Sequence, residues 1–249
     1  MNILAFNGSP RMKKGQTDIF LQHFMKGAKE AGAETETVYL AKQNIKYCSG
    51  CFNCWFVHPG KCIHNDDMPE IRTKIRKADI VVLASPIYID GLTAQTKTML
   101  DRLIAGGSPF IESRDGHSRH PSGGKELKKR KLLLLSTCGF GELDNFGPMI
   151  HHAKAIANNL ATFEWMGAIV RPMGGAVGMI QEEEPEKANA IFEAFRQGGY
   201  DAVSKGTISE EVQKAASMPV MAIKEYADRA NKMFTEMIKV KNNSKRKIQ

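Results

Sequence analysis

Short apolar runs recur along this chain, and most are followed by a segment whose apolar positions fall three or four residues apart. Residues 2–7 (Asn-Ile-Leu-Ala-Phe-Asn) read as a buried strand. Beyond them Ile19, Phe20, Phe24, Ala28 and Ala31 keep close to a 3.6-residue period and predict a helix closed by Gly32. Val38 and Leu40 share one face of an alternating segment at 34–40, a second strand. Residues 68–77 predict a helix with Asp66 or Asp67 available as N-cap. Ile80-Val81-Val82-Leu83-Ala84 is apolar throughout, as a strand covered on both faces must be. A helix over 93–104 follows, then a stretch at 105–130 rich in Gly, Ser, Pro and charge that predicts a long insertion loop. Residues 132–135 are four leucines in a row, another buried strand; a helix is predicted over 145–160 and a last strand over 163–170. From Pro185 the pattern is helical, over 186–196, over 209–216, and from Pro219, suited to a first turn, to about residue 238.

Strands alternating with helices predict a parallel, doubly wound α/β sheet with helices on both faces. Five strands suit the flavodoxin-like order 2-1-3-4-5, here with a helical C-terminal extension. The expected organisation is a domain at 1–180 with a cysteine loop at 48–62, a helical extension at 181–238, and a basic tail at 239–249 expected to be disordered. The 249 residues, 42% apolar and 25% charged, exclude disorder along the whole length and bury a core without disulfides. No run approaches 18 apolar residues, so no membrane partner is expected, and without a visible export signal the expected location is cytoplasmic. The net charge of +8 is concentrated: the tail carries +5 and residues 125–131 carry +4, which leaves the body near neutral. No aromatic residue interleaves with the tail's lysines, so a solvated tail is favoured over a nucleic-acid contact.

Ligands of open α/β sheets bind outside the carboxyl ends of the strands. Loops 8–17, 85–91 and 136–141 are expected at that rim, and the cysteine segment is expected to open on the same side. In the first loop Gly8 and Gly15 permit close backbone approach. Ser9, Gln16 and Thr17 offer donors, and the helix start supplies free N–H groups and a positive dipole end: a phosphate site outside the P-loop and G-x-G-x-x-G patterns. Tyr88 is a candidate to lie against a flat ring, and the glycines of 137–141 to let a ring edge meet the main chain, so the rim suits a phosphorylated planar cofactor. Cys48-x2-Cys51-x2-Cys54-x7-Cys62 is the most specific signal. Four thiolates at such steps are what a [4Fe–4S] cubane needs, with Phe52, Trp55 and Phe56 available as a shield. A zinc ion and idle reduced thiols stay open as alternatives. Cys138 reads as a small buried residue at a strand end.

These residues resemble the iron–sulfur flavoprotein family, within the wider NAD(P)H-dependent FMN reductase and flavodoxin-like group. The resemblance covers about residues 1–175 and rests on Ile3-Leu4-Ala5-Phe6-Asn7-Gly8-Ser9-Pro10-Arg11, on the cysteine run with Gly60-Lys61-Cys62 and Asp66-Asp67-Met68, and on Ala84-Ser85-Pro86-Ile87-Tyr88. It implies an FMN phosphate held by Ser9, Arg11, Gln16 and Thr17. It implies an isoalloxazine on Pro86, Ile87 and Tyr88 and against Gly139, Phe140 and Gly141, and dimers or tetramers in which flavin and cluster approach across subunits. Two departures stand out: Met12-Lys13-Lys14 makes the first loop one residue longer than usual, and Gln16 stands where Asn or Ser is common.

The expected function is an FMN-dependent electron-transfer oxidoreductase that moves electrons between flavin, a [4Fe–4S] cluster bound by Cys48, Cys51, Cys54 and Cys62, and a one-electron partner such as ferredoxin. No side-chain acid, base or nucleophile is required, so no catalytic residue is assigned. The first alternative is an NAD(P)H-dependent FMN or quinone reductase acting on small-molecule acceptors without a cluster. The second is a redox-sensing or nucleic-acid-binding module.

Overall fold

The computed structural model of this chain describes residues 1–122 and 128–246, with side chains described as far as residue 240. The elements are β1 (Asn2–Asn7), α1 (Gln16–Glu30), β2 (Glu34–Tyr39), α2 (Asn53–Phe56), α3 (Met68–Lys77), β3 (Ile80–Pro86), α4 (Ala94–Asp101), β4 (Glu112–Arg114), β5 (His117–Arg119), β6 (Arg130–Thr137), α5 (Gly147–Asn159), β7 (Phe163–Arg171), α6 (Ala176–Ile180), α7 (Pro185–Ser204), α8 (Glu210–Ala216) and α9 (Ile223–Arg246). Five strands form one parallel sheet in the order β2-β1-β3-β6-β7. Counted along the chain, that is the flavodoxin-like order expected. The predicted insertion loop holds an antiparallel pair, β4 with β5, turned at Asp115-Gly116; both take positive φ, a signature of the tightest hairpin turn.

The wholly apolar runs bury because the central strands are covered on both sides. On one face Ile3, Ala5, Val82, Leu133, Leu135 and Ile169 pack under α1, α6, α7 and α8. On the other, Leu4, Phe6, Leu83, Leu132 and Leu134 pack under α3, α4 and α5. The sequence divides the chain at 180, but the first core runs straight through that boundary. Phe20 and Phe24 of α1 share it with Ile191 and Phe195 of α7, and the rings of Phe20 and Phe195 lie 4.8 Å apart. The two helices meet backbone to backbone: a Cβ on Gly27 would lie 1.7 Å from the Arg196 carbonyl oxygen, and one on Gly199 1.8 Å from that of Phe24. So α7 completes the helix layer beside α1, and only the segments after it are additions.

One addition is pinned by a buried cation. Arg171, at the end of β7, donates to the carbonyls of Pro172, Ala216 and Met218 at 2.5, 2.7 and 2.6 Å. Burial lowers its pKa to about 10, and the last carbonyl of α8 is one of its acceptors. The final helix departs from expectation. Where a helix to about 238 and a disordered basic tail are predicted, α9 continues to Arg246; residues 247–249 and part of the basic segment 125–131 lie outside the described residues. None of the described helices is long and apolar enough to cross a membrane.

Candidate functional site: a nucleotide rim and a cysteine pocket

The first loop turns on Asn7, the last residue of β1. Its buried side chain accepts from the Ser9 N–H at 2.9 Å and donates to Asp18 at 2.8 Å. Asp18 sits in the first turn of α1, where a free carboxylate would repel a phosphate. It is engaged by Asn7 and by Tyr39, whose phenol pKa burial, then the hydrogen bond and charge of Asp18, push up to about 12. Ser9 is buried and its Oγ accepts from the Arg11 N–H at 3.3 Å. A Cβ on Gly15 would sit 2.4 Å from that Oγ, so a larger residue there would displace the Ser9 hydroxyl. The additional residues Met12-Lys13-Lys14 are taken up as a single 3-10 turn entered with Met12 at φ 49°.

α1 then begins at Gln16 with no side chain capping its N-terminus. The leading N–H groups of a helix lack intrahelical acceptors and meet the positive end of the macrodipole, which is the chemistry an anion takes. Thr17 is buried with its hydroxyl 2.7 Å from that of Thr137; Gln16 is half-buried and Arg11 exposed.

The three loops meet as expected. Gly8 N–H donates to the Ala84 carbonyl at 2.8 Å, Thr93 Oγ1 donates to that of Gly8 at 2.7 Å, and Ile87 N–H donates to that of Thr137 at 2.9 Å. Pro86 closes β3, buried, and Ile87 is half-buried. Tyr88 and Gly91 pair across a two-residue turn in which Ile89 and Asp90 both take positive φ, 46° and 57°. A β-branched residue in that region is strained, and Ile89 is 98% exposed, so this turn is held up into solvent at the edge of the rim. On the far side Gly139 and Phe140 are exposed, and a Cβ on Gly139 would meet no protein atom within 4 Å. Gly141 packs closely instead: a Cβ there would lie 2.4 Å from Met173 Cε and would have to push that side chain aside. Cys138 is buried beneath this loop, its thiol pKa raised by burial.

The cysteine segment is placed differently from expectation. Cys48, Cys51, Cys54 and Cys62 border one small pocket, but its other walls are Arg102, Ile104 and Ala105, beyond the far end of α4. No residue of the three rim loops lines it. α4 starts beside Thr93, whose hydroxyl donates to the Gly8 carbonyl, and its eight residues, about 12 Å of helix, lead from there to the segment that walls the thiol pocket. The side of the sheet on which a long connection settles depends on packing, which the spacing of cysteines does not encode.

What holds the segment there is a buried ion pair. Arg102 and Asp66 have side chains 1% and 0% exposed and meet at 2.6 Å. Arg102 also donates to the Lys46 carbonyl at 2.7 Å, and Asp66 accepts from the N–H groups of Lys46 and Met68. Burial works against the Asp66 carboxylate, but these donors outweigh it and hold its pKa low. Asp67 accepts from Asn44 N–H at 2.7 Å. Neither aspartate therefore serves simply as the helix cap expected; both staple the entry and exit of the cysteine loop.

Within that loop Gly50, Phe52 and Gly60 take positive φ. Asn53 and Ser49 lower the Cys51 thiol pKa, whereas burial, then the neighbouring thiols, raise that of Cys54. Of the predicted shield only Phe52 lines the pocket. Trp55 turns outward to donate to the Ile104 carbonyl at 2.9 Å, and Phe56 is 71% exposed. Among the described residues no three Cys, His, Asp or Glu side chains are gathered in an arrangement that would hold a single metal ion.

Sequence reasoning missed Asn7, Asp18, Thr93, Thr137, Arg102 and Arg171. Each works through a partner distant in the chain; only the Asn7-x-Ser9 spacing, an Asx-turn signal, was there to be read.

A doubly wound sheet with an uncapped helix start behind a Gly-Ser loop, beside two further exposed loops on one rim, defines a nucleotide-binding protein of the flavodoxin-like class. The chain belongs to the NADPH-dependent FMN reductase family, whose model matches residues 1–145, a family of flavin-dependent oxidoreductases; within that group it stands with the iron–sulfur flavoproteins. It is 36% identical over 119 residues to an iron–sulfur flavoprotein of Archaeoglobus fulgidus, covering 47% of this chain and 53% of that one. It is 30% identical over 139 residues to the iron–sulfur flavoprotein MJ0731 of Methanocaldococcus jannaschii, covering 53% and 69%. The chain spans about half the length of several of the curated relatives it matches. The solved FMN-dependent NADH-azoreductase of Bacillus anthracis shares the fold, with a TM-score of 0.54 at 15% identity over 83% of this chain and 99% of that one.

Proposed function

We propose that this protein is an FMN-dependent electron-transfer oxidoreductase whose four clustered cysteines carry a [4Fe–4S] centre and whose partner is a one-electron carrier such as ferredoxin. The observation that carries the reading is the bordering of a single pocket by all four predicted thiols, with the Arg102 guanidinium in its wall. A cluster with four thiolate ligands is anionic, and a buried guanidinium offsets that charge. When bound, FMN supplies two-electron acceptance with one-electron release, and the cluster supplies one-electron storage. The chain's own residues bind and orient. Thr17, Ser9, Arg11, Gln16 and the first N–H groups of α1 hold the phosphate. Pro86, Ile87 and Tyr88 form one wall for the ring and Gly139 to Gly141 the other, with bare backbone at Gly139. NAD(P)H is the expected two-electron donor. The family resemblance implies assembly as a dimer or tetramer in which flavin and cluster approach across subunits.

A second reading, an NAD(P)H-dependent FMN or quinone reductase with idle thiols, is favoured by the absence, among the described residues, of a preassembled metal-ligand group. Iron, zinc, acid-labile sulfide and flavin are to be measured on anaerobically purified protein. About four irons and one FMN per chain support the first reading; one FMN without iron selects the second.

A further inference from the structure

A second cavity, of about 620 Å³, opens among α3, α4 and α5 at the end of the sheet where β6 and β7 begin. Arg130 begins β6 and Phe163 begins β7, and both line it, whereas the rim loops follow the last residues of those strands. The eight residues of β6 put about 23 Å between the two ends. This space is therefore separate from the nucleotide rim.

Its chemistry is unbalanced. Arg130 is 4% exposed, its Nε has no hydrogen-bond partner, and among the described residues no carboxylate pairs with its guanidinium. Its one contact of note is with the ring of Phe163, 5.4 Å from centroid to guanidinium carbon. Arg76, also in the lining, is close enough to depress the Arg130 pKa further after burial has done so. The one acid in the lining, Asp101, is engaged by Lys97 at 2.6 Å. Arg72, Lys97 and His152 add to the basic side of the lining, and Leu100, Ile104 and Ile156 join Phe163 as its apolar part. A buried guanidinium without a counter-ion is costly, and folds retain one where an anion completes it.

We propose that this cavity binds a small amphipathic anion, an apolar body carrying one carboxylate or comparable oxyanion, whose head pairs with Arg130 and Arg76 while its body lies on Leu100, Ile104, Ile156 and Phe163. A concave space with its cation deep inside and apolar walls around it fits such a molecule better than a flat protein surface, whose charges belong at the rim. Ile104 also lines the cysteine pocket, and Trp55, docked on its carbonyl, lines this cavity. An occupant therefore touches the wall that the thiols share, whether or not they carry metal.

The test is calorimetric titration of the full chain with decanoate and with decanol, which has the same length but no charge. Saturable decanoate binding about tenfold or more tighter than decanol is expected, with that preference lost in Arg130→Met and retained in Arg130→Lys. Ile156→Trp, which fills the cavity from its apolar lining, is expected to abolish binding of both and keeps the test decisive should Arg130→Met fail to fold. Equal affinity for acid and alcohol, no saturable binding, or an unchanged preference in Arg130→Met each overturn the proposal. If the native chain binds neither ligand and Arg130→Met dissociates an oligomer, the cavity belongs to a second copy of this chain and the proposal fails.

Discussion

At the scale of single residues, the proposed phosphate site rests on the first turn of α1. Thr17 lies in that turn, buried, with its hydroxyl against that of Thr137. Thr17→Val keeps the shape and removes the hydroxyl, so FMN affinity is expected to fall about tenfold to a hundredfold, the worth of one hydrogen bond to a charged phosphate, as read by quenching of flavin fluorescence. Asp18→Asn should leave the loop standing but weaken the Asn7 anchor. In the cysteine segment, Arg102 and Asp66 are both fully buried. Replacing Asp66 by Asn leaves a buried guanidinium short of its anion and is expected to cost about 3 kcal/mol in urea unfolding. Because the folded state holds the Asp66 carboxylate below its usual pKa, that stabilisation is present above the unfolded carboxylate value and is lost as pH falls through the lowered one. The cysteines were legible from spacing alone. Arg102, 36 residues away from Asp66, was not, because an arginine in a helical stretch carries no sign of its partner.

At the scale of elements, the contact of α1 with α7 decides how much of the chain is one unit. Gly27 and Gly199 bring the two backbones together, and neither position tolerates a Cβ against a carbonyl. Gly199→Ala is therefore expected to destabilise by about 3 kcal/mol, at the upper end of overpacking costs, with the loss seen in chemical denaturation and a parallel loss of FMN. The same interface carries a titration. His23 of α1 stacks on Phe192 of α7 with ring centroids 4.6 Å apart. Burial, aided by Lys26 and opposed by Glu193, lowers its pKa. The unfolded chain then takes up the proton more readily than the folded one, so stability is full above the ordinary histidine value of about 6.5 and declines as pH drops below it. His23→Gln is expected to flatten that slope between about pH 7.5 and 5.5 in thermal melts followed by circular dichroism, with His152, whose pKa burial also lowers, supplying what slope remains.

At the scale of the whole molecule, the period of the apolar pattern determined the five strands of the parallel sheet, their burial on two faces and their order, because each follows from local repeats and from the twist of parallel crossovers, whereas the β4–β5 pair lay unseen in the predicted insertion loop. Spacing likewise marked out the four thiols. Tertiary structure decided the rest. It set α7 into the core, although its 3.6-residue pattern reads the same whether a helix packs on the sheet or beyond it. It carried α9 through a basic segment that composition alone would leave loose. It placed the cysteines behind α4 rather than on the rim, since the path of a 28-residue connection between β2 and α3 is chosen by a buried Arg–Asp pair and not by local preference. It also buried Arg130 in a cavity beside Arg76 with no carboxylate partner among the described residues, a relation between groups that meet only once β6, β7 and α3 are packed together.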